Sequence, residues 1–99
     1  MKPVRFLGSA REDIRREKSY YRKINPDLAI QFQNALEIAV NAVSMQPFAM
    51  QILENEIRRW PLETFPHGVL YRNEERFVLI LAVFHPKQAP ERWLNLPRT

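Results

Sequence analysis

Phe65-Pro66-His67-Gly68-Val69-Leu70-Tyr71-Arg72, then Asn73-Glu74-Glu75-Arg76, then Phe77-Val78-Leu79-Ile80-Leu81-Ala82-Val83-Phe84, is the stretch that decides how this chain folds. Successive side chains of an extended segment point to opposite faces. Phe65, His67, Val69 and Tyr71 therefore share one face, and Gly68, Leu70 and Arg72 share the other. Asn73-Glu74-Glu75 is turn-like. The run from Phe77 to Phe84 is apolar at every position, which is the pattern of a central strand covered on both sides. A turn this short has no room for the crossover of about a dozen residues that parallel pairing needs, so the two strands should run antiparallel.

Working upstream, Ile57-Arg58-Arg59-Trp60 reads as another strand, and Pro61, which cannot donate to a ladder, places an edge or a bulge there. Arg58 and Arg59 must point to opposite faces if that strand is regular. In the segment from Pro47 to Asn55, Phe48, Met50, Ile52 and Leu53 are expected in the core, because exposed apolar clusters of that size are uncommon.

The first half of the chain has helical texture. Val4 and Phe6 alternate with Arg5 as a short strand ended by Gly8. Ser9-Ala10-Arg11-Glu12 fits a capping box, with the Ser9 hydroxyl accepting from an amide one turn on and Glu12 reaching back. A helix follows with Ala10, Ile14, Tyr21 and Ile24 on one stripe, and Arg11, Arg15, Arg16 and Lys18 interleaved with Glu12, Asp13 and Glu17 as a solvated face. Asn25-Pro26-Asp27 restarts the chain as a second helix, since Asn suits the N-cap, Pro the first helical position and Asp the positive helix end. Leu28, Phe32, Ala35, Leu36, Ala39 and Val43 mark its buried face, and Pro47 stops it. A break this short implies an antiparallel helical hairpin.

At 99 residues with 45% hydrophobic content, the chain suits one domain over residues 1–99. No apolar run approaches the roughly 20 residues that cross a bilayer, and Met1-Lys2-Pro3-Val4-Arg5 lacks signal-peptide features, so a cytoplasmic protein with no membrane contact is expected. With no cysteine and two isolated histidines, no metal and no other cofactor is expected. Two glycines are too few for a phosphate-cradling loop, and neither a Gly-x-Ser-x-Gly nor a Cys nucleophile occurs; no small-molecule substrate is implied. Fifteen Lys and Arg against eleven Asp and Glu, net +4, point to nucleic acid or an acidic protein as partner, or to a surplus that serves solubility.

The order Arg58-Arg59, Phe65-Pro66-His67, Tyr71, a turn, an apolar strand ending at His85, then Pro86-Lys87, Pro90 and Trp93 resembles the RelE/ParE superfamily of bacterial type II toxins. Asp13-Ile14 and Tyr20-Tyr21 extend the likeness upstream, although position 67 is His where the family more often has Tyr. The resemblance implies an α+β fold: an N-terminal strand, an antiparallel two-helix hairpin, then a three-stranded antiparallel meander forming one small sheet. The second face of the central strand would be only partly covered and would serve for binding. It also implies a cognate antitoxin, which the basic charge and the apolar sheet face predict to be acidic and partly disordered.

Members nearer ParE imply inhibition of DNA gyrase by protein–protein binding, with growth inhibition and plasmid stabilization as outcomes. Members nearer RelE imply a ribosome-dependent endonuclease of messenger RNA, and a decayed toxin that only binds its antitoxin is a third reading. The long helical hairpin and the absence of a Tyr after Tyr71 lean toward the first. For a nuclease, His85 is the candidate acid or base, and Arg58, Arg59 and Lys87 would stabilise phosphorane charge. Tyr71 or Trp93 would stack a base, and Lys87, Arg92, Trp93, Arg72, Tyr71 and His67 form the wider target- or RNA-binding set. The bland counterparts are a strand-end His85 bonded to nearby backbone and a Tyr71 buried in the core. Basic residues used for binding should gather at the end of the sheet, with Lys87 and Arg92 beside Arg58 or Arg59.

Overall fold

The computed structural model describes residues 1–87, in the order β1 (Val4–Phe6), α1 (Gly8–Ile24), α2 (Pro26–Met45), β2 (Ile52–Glu54), β3 (Ile57–Pro61), β4 (Gly68–Asn73) and β5 (Val78–Phe84). The five strands form one mixed sheet in the order β1-β5-β4-β3-β2. β4 and β5 pair antiparallel, with Gly68 opposite Phe84 and Asn73 opposite Val78, and the turn is closed by the Glu74 amide donating to the Phe77 carbonyl at 2.9 Å. β1 lies parallel to β5 on its other side, Val4 opposite Val78 and Phe6 opposite Ile80. The antiparallel meander from Ile57 to Phe84 thus stands as read, but the sheet is five-stranded and mixed rather than three-stranded and antiparallel, since β1 joins it parallel to β5 and a further strand is added at its far edge.

That extra strand, β2, corrects the reading of residues 47–55. Phe48, Ile52 and Leu53 are 73%, 46% and 50% exposed, so they are not core. β2 and β3 are joined by Asn55 and Glu56, both left-handed with φ of 53° and 65°, the conformation of a type I′ hairpin turn. The usual second residue there is Gly, and Glu56 hides the turn in the sequence. β2 pairs only with Ile57 and Arg58, so β3 is still an edge where Pro61 falls.

One residue joins the helices. The Asn25 amide donates to the Tyr21 carbonyl, closing α1, while its side-chain oxygen accepts from the Asp27 amide at 2.9 Å, opening α2. α2 buries Phe32, Ala35, Leu36, Ala39 and Val43 as its period required, while in the first turn Ala29 is buried and Leu28, expected there, is only half-buried. Together with Ala10, the side chains of Phe32, Leu36, Ala39 and Val43 pack on Val69, Tyr71, Val78, Ile80 and Val83, the helix-facing side of the sheet. Ile24, placed on the buried stripe of α1, is instead 59% exposed at the last residue of the helix. The opposite sheet face, with Ile57, Leu70, Leu79, Leu81, Ala82 and Phe84, is also buried, so it is not the partly open surface that the family likeness implied.

α1 is anchored to β5 by polar groups rather than capped by them. Leu7 occupies the N-cap and no side chain caps the helix, so the capping box is not formed. The Ser9 hydroxyl donates instead to the Leu81 carbonyl at 2.7 Å. One turn later the buried Asp13 carboxylate accepts from the Val83 amide at 3.1 Å. The β4–β5 register shifts between Leu70 and Tyr71, which face Ala82 and Ile80, so Leu81 is the extra residue of a β-bulge. β1 ends opposite Ile80, so past that residue no strand lies on the outer side of β5, and Ser9 and Asp13 meet the Leu81 carbonyl and the Val83 amide.

Removing a side chain that satisfies a buried backbone donor costs the desolvation of that donor as well as the bond. Asp13→Ala should therefore lower the unfolding free energy by about 2–3 kcal/mol and Ser9→Ala by about 1 kcal/mol in urea titrations. Equal losses below about 0.5 kcal/mol would mean that apolar packing alone seats α1.

Candidate functional site

Glu17 follows Asp13 by one further turn, so Ser9, Asp13 and Glu17 form a stripe on α1 that continues past the bulge to the end of β5. There the Glu17 carboxylate meets His67 Nε2 at 2.5 Å. His67 precedes β4 in a loop closed by the Leu62 amide donating to the His67 carbonyl at 2.9 Å, which turns Phe65 and His67 under the helices. The imidazole is fully buried, edge-on to Phe32 and Tyr21 with ring centroids 5.1 Å and 6.2 Å away. His85 closes the box from the end of β5, its ring perpendicular to that of His67 at 4.9 Å. His85 Nδ1 accepts from the Lys87 amide at 3.0 Å, the strand-end backbone bond anticipated for it.

Burial pushes the His67 pKa below the ordinary imidazole value, outweighing the hydrogen bond and the charge of Glu17, with His85 pushing the same way as burial. Neutral His67 then donates from Nε2–H to the carboxylate, leaving Nδ1 as a bare acceptor. Among the described residues Nδ1 has no hydrogen-bond partner. A lone pair without a donor is cheaper to bury than an N–H⁺ without an acceptor, so the cage favours the uncharged ring. Arg16 completes the charge balance, pairing with Asp13 at 2.8 Å and with Glu17 at 3.6 Å.

The remaining candidates do not gather around this point. Arg58 faces the helices beside Tyr71, donating to the carbonyls of Met50 and Phe48 and lying 5.4 Å over the Phe48 ring. Tyr71 is buried and its hydroxyl donates to the Pro47 carbonyl at 3.0 Å, so it is a core residue and its pKa is raised by that burial. Through Tyr71, Arg58 aligns with Ile80, five residues before His85, which is about 17 Å along a strand.

Arg59 lies on the opposite face, donates to the Pro66 carbonyl at 3.3 Å and crosses directly over Gly68. A Cβ on residue 68 would stand 2.3 Å from Arg59 Nε and 2.7 Å from its Cγ, which is why glycine occupies that place. Arg72 is engaged by Glu74 at 2.6 Å. Lys87 is exposed and shares the Gly68–Phe84 end of the sheet with Arg59. Arg92 and Trp93 lie outside the described residues. Asp13 and Glu17, read as part of a solvated face, are the participants that sequence reasoning missed; their four-residue spacing after Ser9 was the available signal.

The family model for the ParE toxin of the type II toxin–antitoxin system parDE matches residues 4–90. The chain belongs to that family, the ParE-like part of the RelE/ParE superfamily. No curated protein matches it in sequence. Among solved structures it is similar to a chain of the chromosomal ParDE system from P. aeruginosa, with a TM-score of 0.75 and 19% identity over 86% of this chain and 96% of that one. It is also similar to a chain of the RelBE2 toxin–antitoxin complex from Mycobacterium tuberculosis, with a TM-score of 0.55 and 23% identity over 85% of this chain and 96% of that one.

The lowered pKa of His67 sets the sign of a pH effect. The unfolded chain protonates at the ordinary imidazole value of about 6.5 while the folded chain does not. Stability is therefore full above that value and is lost as the pH falls through the lower folded pKa. Denaturation midpoints should drop as the pH falls below about 6.5, and His67→Gln, which keeps a donor toward Glu17 but does not titrate, should remove that component. A midpoint that rises on acidification, with the rise abolished in the same variant, would mean that Glu17 rather than burial governs the ring.

Proposed function

We propose that this chain is the toxin of a type II toxin–antitoxin pair that acts in the cytoplasm as one domain over residues 1–99. It inhibits DNA gyrase by protein–protein binding and is neutralised by an acidic antitoxin. The observation that supports a binder over a nuclease is the dispersal of the catalytic candidates. Attack of a ribose hydroxyl on phosphate needs an acid, a base and cations converging on one phosphorus. Here Arg58 and Arg59 serve opposite faces of the sheet and each is hydrogen-bonded to main-chain carbonyls, while His85, the candidate acid or base, packs on His67 and accepts from the Lys87 amide. Membership of the ParE toxin family supports the same choice. The basic surface supports an acidic partner, and the RNA-cleaving reading survives as the second outcome of the test.

The purified chain should block gyrase supercoiling while leaving ribosome-bound transcripts intact. Toxicity should change little in His85→Ala. Truncation after Pro90, which removes Arg92 and Trp93, should reduce it strongly, since Trp and Arg are the residue types that most often contribute 2 kcal/mol or so to an interface. Circular dichroism must show that both variants fold. Ribosome-dependent cleavage that falls about 10²-fold in His85→Ala would put the endonuclease first.

A further inference from the structure

Residues 44–53, Ser-Met-Gln-Pro-Phe-Ala-Met-Gln-Ile-Leu, carry no charged side chain in a chain that is 26% charged. The segment runs from the end of α2 into β2 and leaves its large apolar side chains in water. Met45 is 66% exposed and Phe48 73%, with Ile52 and Leu53 about half open. Ile52 lies in register with Arg58, and the Arg58 guanidinium stands 5.4 Å from the centre of the Phe48 ring. Phe48, Arg58 and Ile52 are therefore contiguous at the far edge of the sheet.

This exposure is held in place by buried groups. The Tyr71 hydroxyl donates to the Pro47 carbonyl at 3.0 Å, Arg58 donates to the Met50 carbonyl, and the Ala49 amide donates to the Gln46 carbonyl at 3.1 Å. An aromatic side chain presented on a segment already fixed by main-chain bonds has little freedom to lose on binding. Aromatic residues, Met and Arg at the centre, with Lys, Glu and Asp absent, are also the composition that marks the core of a protein–protein interface. The two edges of the sheet differ in the same sense. β1 carries Arg5 and is preceded by Lys2 and Pro3, residue types that discourage association at an edge. β2 has none of them, although it is short and bulged between Ile52 and Glu54, so contact there falls to side chains rather than to an extended ladder.

We propose that this patch is the contact between two copies of the chain, related by a two-fold axis beside β2. An open aromatic side chain presents roughly 150–250 Å² and an aliphatic one somewhat less, so the four exposures leave roughly 450 Å² of apolar surface per copy. Two such patches, with Pro47, Met50 and the Arg58 stem around them, reach roughly the 1,200 Å² at which specific interfaces begin. The charges favour a second copy over other occupants. Glu54 and Glu56 stand at the rim and Arg58 at the centre, so a two-fold axis brings Glu54 of one copy toward Arg58 of the other, and the patch complements itself. An acidic segment would meet Glu54 and Glu56, and a nucleic acid would find one cation there, already engaged by a carbonyl.

Sedimentation equilibrium of the intact chain between about 1 and 100 µM should show a reversible dimer, as suits an interface at the small end of the specific range. Phe48→Ala removes the anchor, and Ile52→Glu sets a carboxylate beside Glu54 of the other copy. Each should raise the dimer dissociation constant at least about tenfold, with circular dichroism unchanged because both side chains are open to solvent. The natural chain has no cysteine, which gives a second readout. A Leu53→Cys thiol beside the axis should crosslink to its own counterpart under mild oxidation, and an Ile30→Cys thiol on the helical hairpin should not.

A single species of monomer mass up to the highest concentration would overturn the proposal. So would a dimer that neither variant weakens, or one that Ile30→Cys crosslinks as readily as Leu53→Cys. If the Leu53→Cys thiol is open to alkylation in the chain alone and is shielded only when the protein encoded beside it is added, the surface belongs to that protein and the second copy is excluded. None of these readouts involves gyrase or the ribosome, so the choice of target is tested separately.

Discussion

The extra residue in β5 is the constraint around which the molecule is arranged. Leu81 is bulged out of register with β4, and β1 ends opposite Ile80, so beyond that residue the buried strand β5 has no strand on its outer side and its backbone groups there need partners from elsewhere. Apolar packing cannot repair that; only a hydrogen-bonding group brought from elsewhere can. Ser9 and Asp13 are one helical turn apart on α1 and satisfy the Leu81 carbonyl and the Val83 amide, one as donor and the other as acceptor. The bond pair fixes both the rotation of α1 about its axis and its position along β5. Once α1 is so placed, the single-residue link at Asn25 leaves α2 few places to go.

The same registration carries Glu17 to His67. Four more residues along the helix bring a third polar side chain to the end of the sheet, where the carboxylate is partly buried and His67 entirely so. A buried carboxylate is costly unless it has a cation or donors. Arg16 supplies the charge from the same helix and His67 supplies the donor from the loop before β4. The stripe is thus a structural spine: it holds a helix to a bulged strand and a loop to the helix. His85 is drawn into this arrangement by its ring contact with His67 and its bond from the Lys87 amide, which explains a histidine at the end of an apolar strand without assigning it a reaction.

Elements announced by strong periodicity or by backbone chemistry were legible in the sequence. The α2 face, the Asn25-Pro26-Asp27 junction, the hairpin around Glu74 and the doubly buried β5 all follow from rules that depend on residues near each other in the chain. What stayed hidden depends on distant partners or on a locally unfavourable choice. Nothing near Ser9 says that its hydroxyl will seek Leu81 in place of an amide one turn away, because the bulge that outcompetes the cap lies 72 residues on. Glu56 at φ 65° occupies a turn position where Gly is the usual signal, so β2 passed for core. At the site, the opposite facing of Arg58 and Arg59 was legible from strand alternation alone, whereas the carbonyls that each engages were not. The roles of Asp13 and Glu17 were lost in a run of alternating charges that reads as ordinary solvated helix.

That misreading has an electrostatic consequence. A helix whose acids and bases alternate along the sequence need not be neutral on any face, because spacing by three and four decides which side each charge takes. In α1 the acids at 13 and 17 turn inward, where a backbone amide, Arg16 and His67 compensate them, and the cations at 18 and 22 remain on the outer side of the hairpin, beside Pro26 and Ile30 of α2. The net charge of +4 is a modest number for the whole chain, but it does not describe this surface. Pairing the carboxylates inside the fold leaves the hairpin more positive outside than composition alone implies. The interaction that seats α1 on β5 is therefore also what turns two of the helix's carboxylates away from solvent and leaves cations on its outer side.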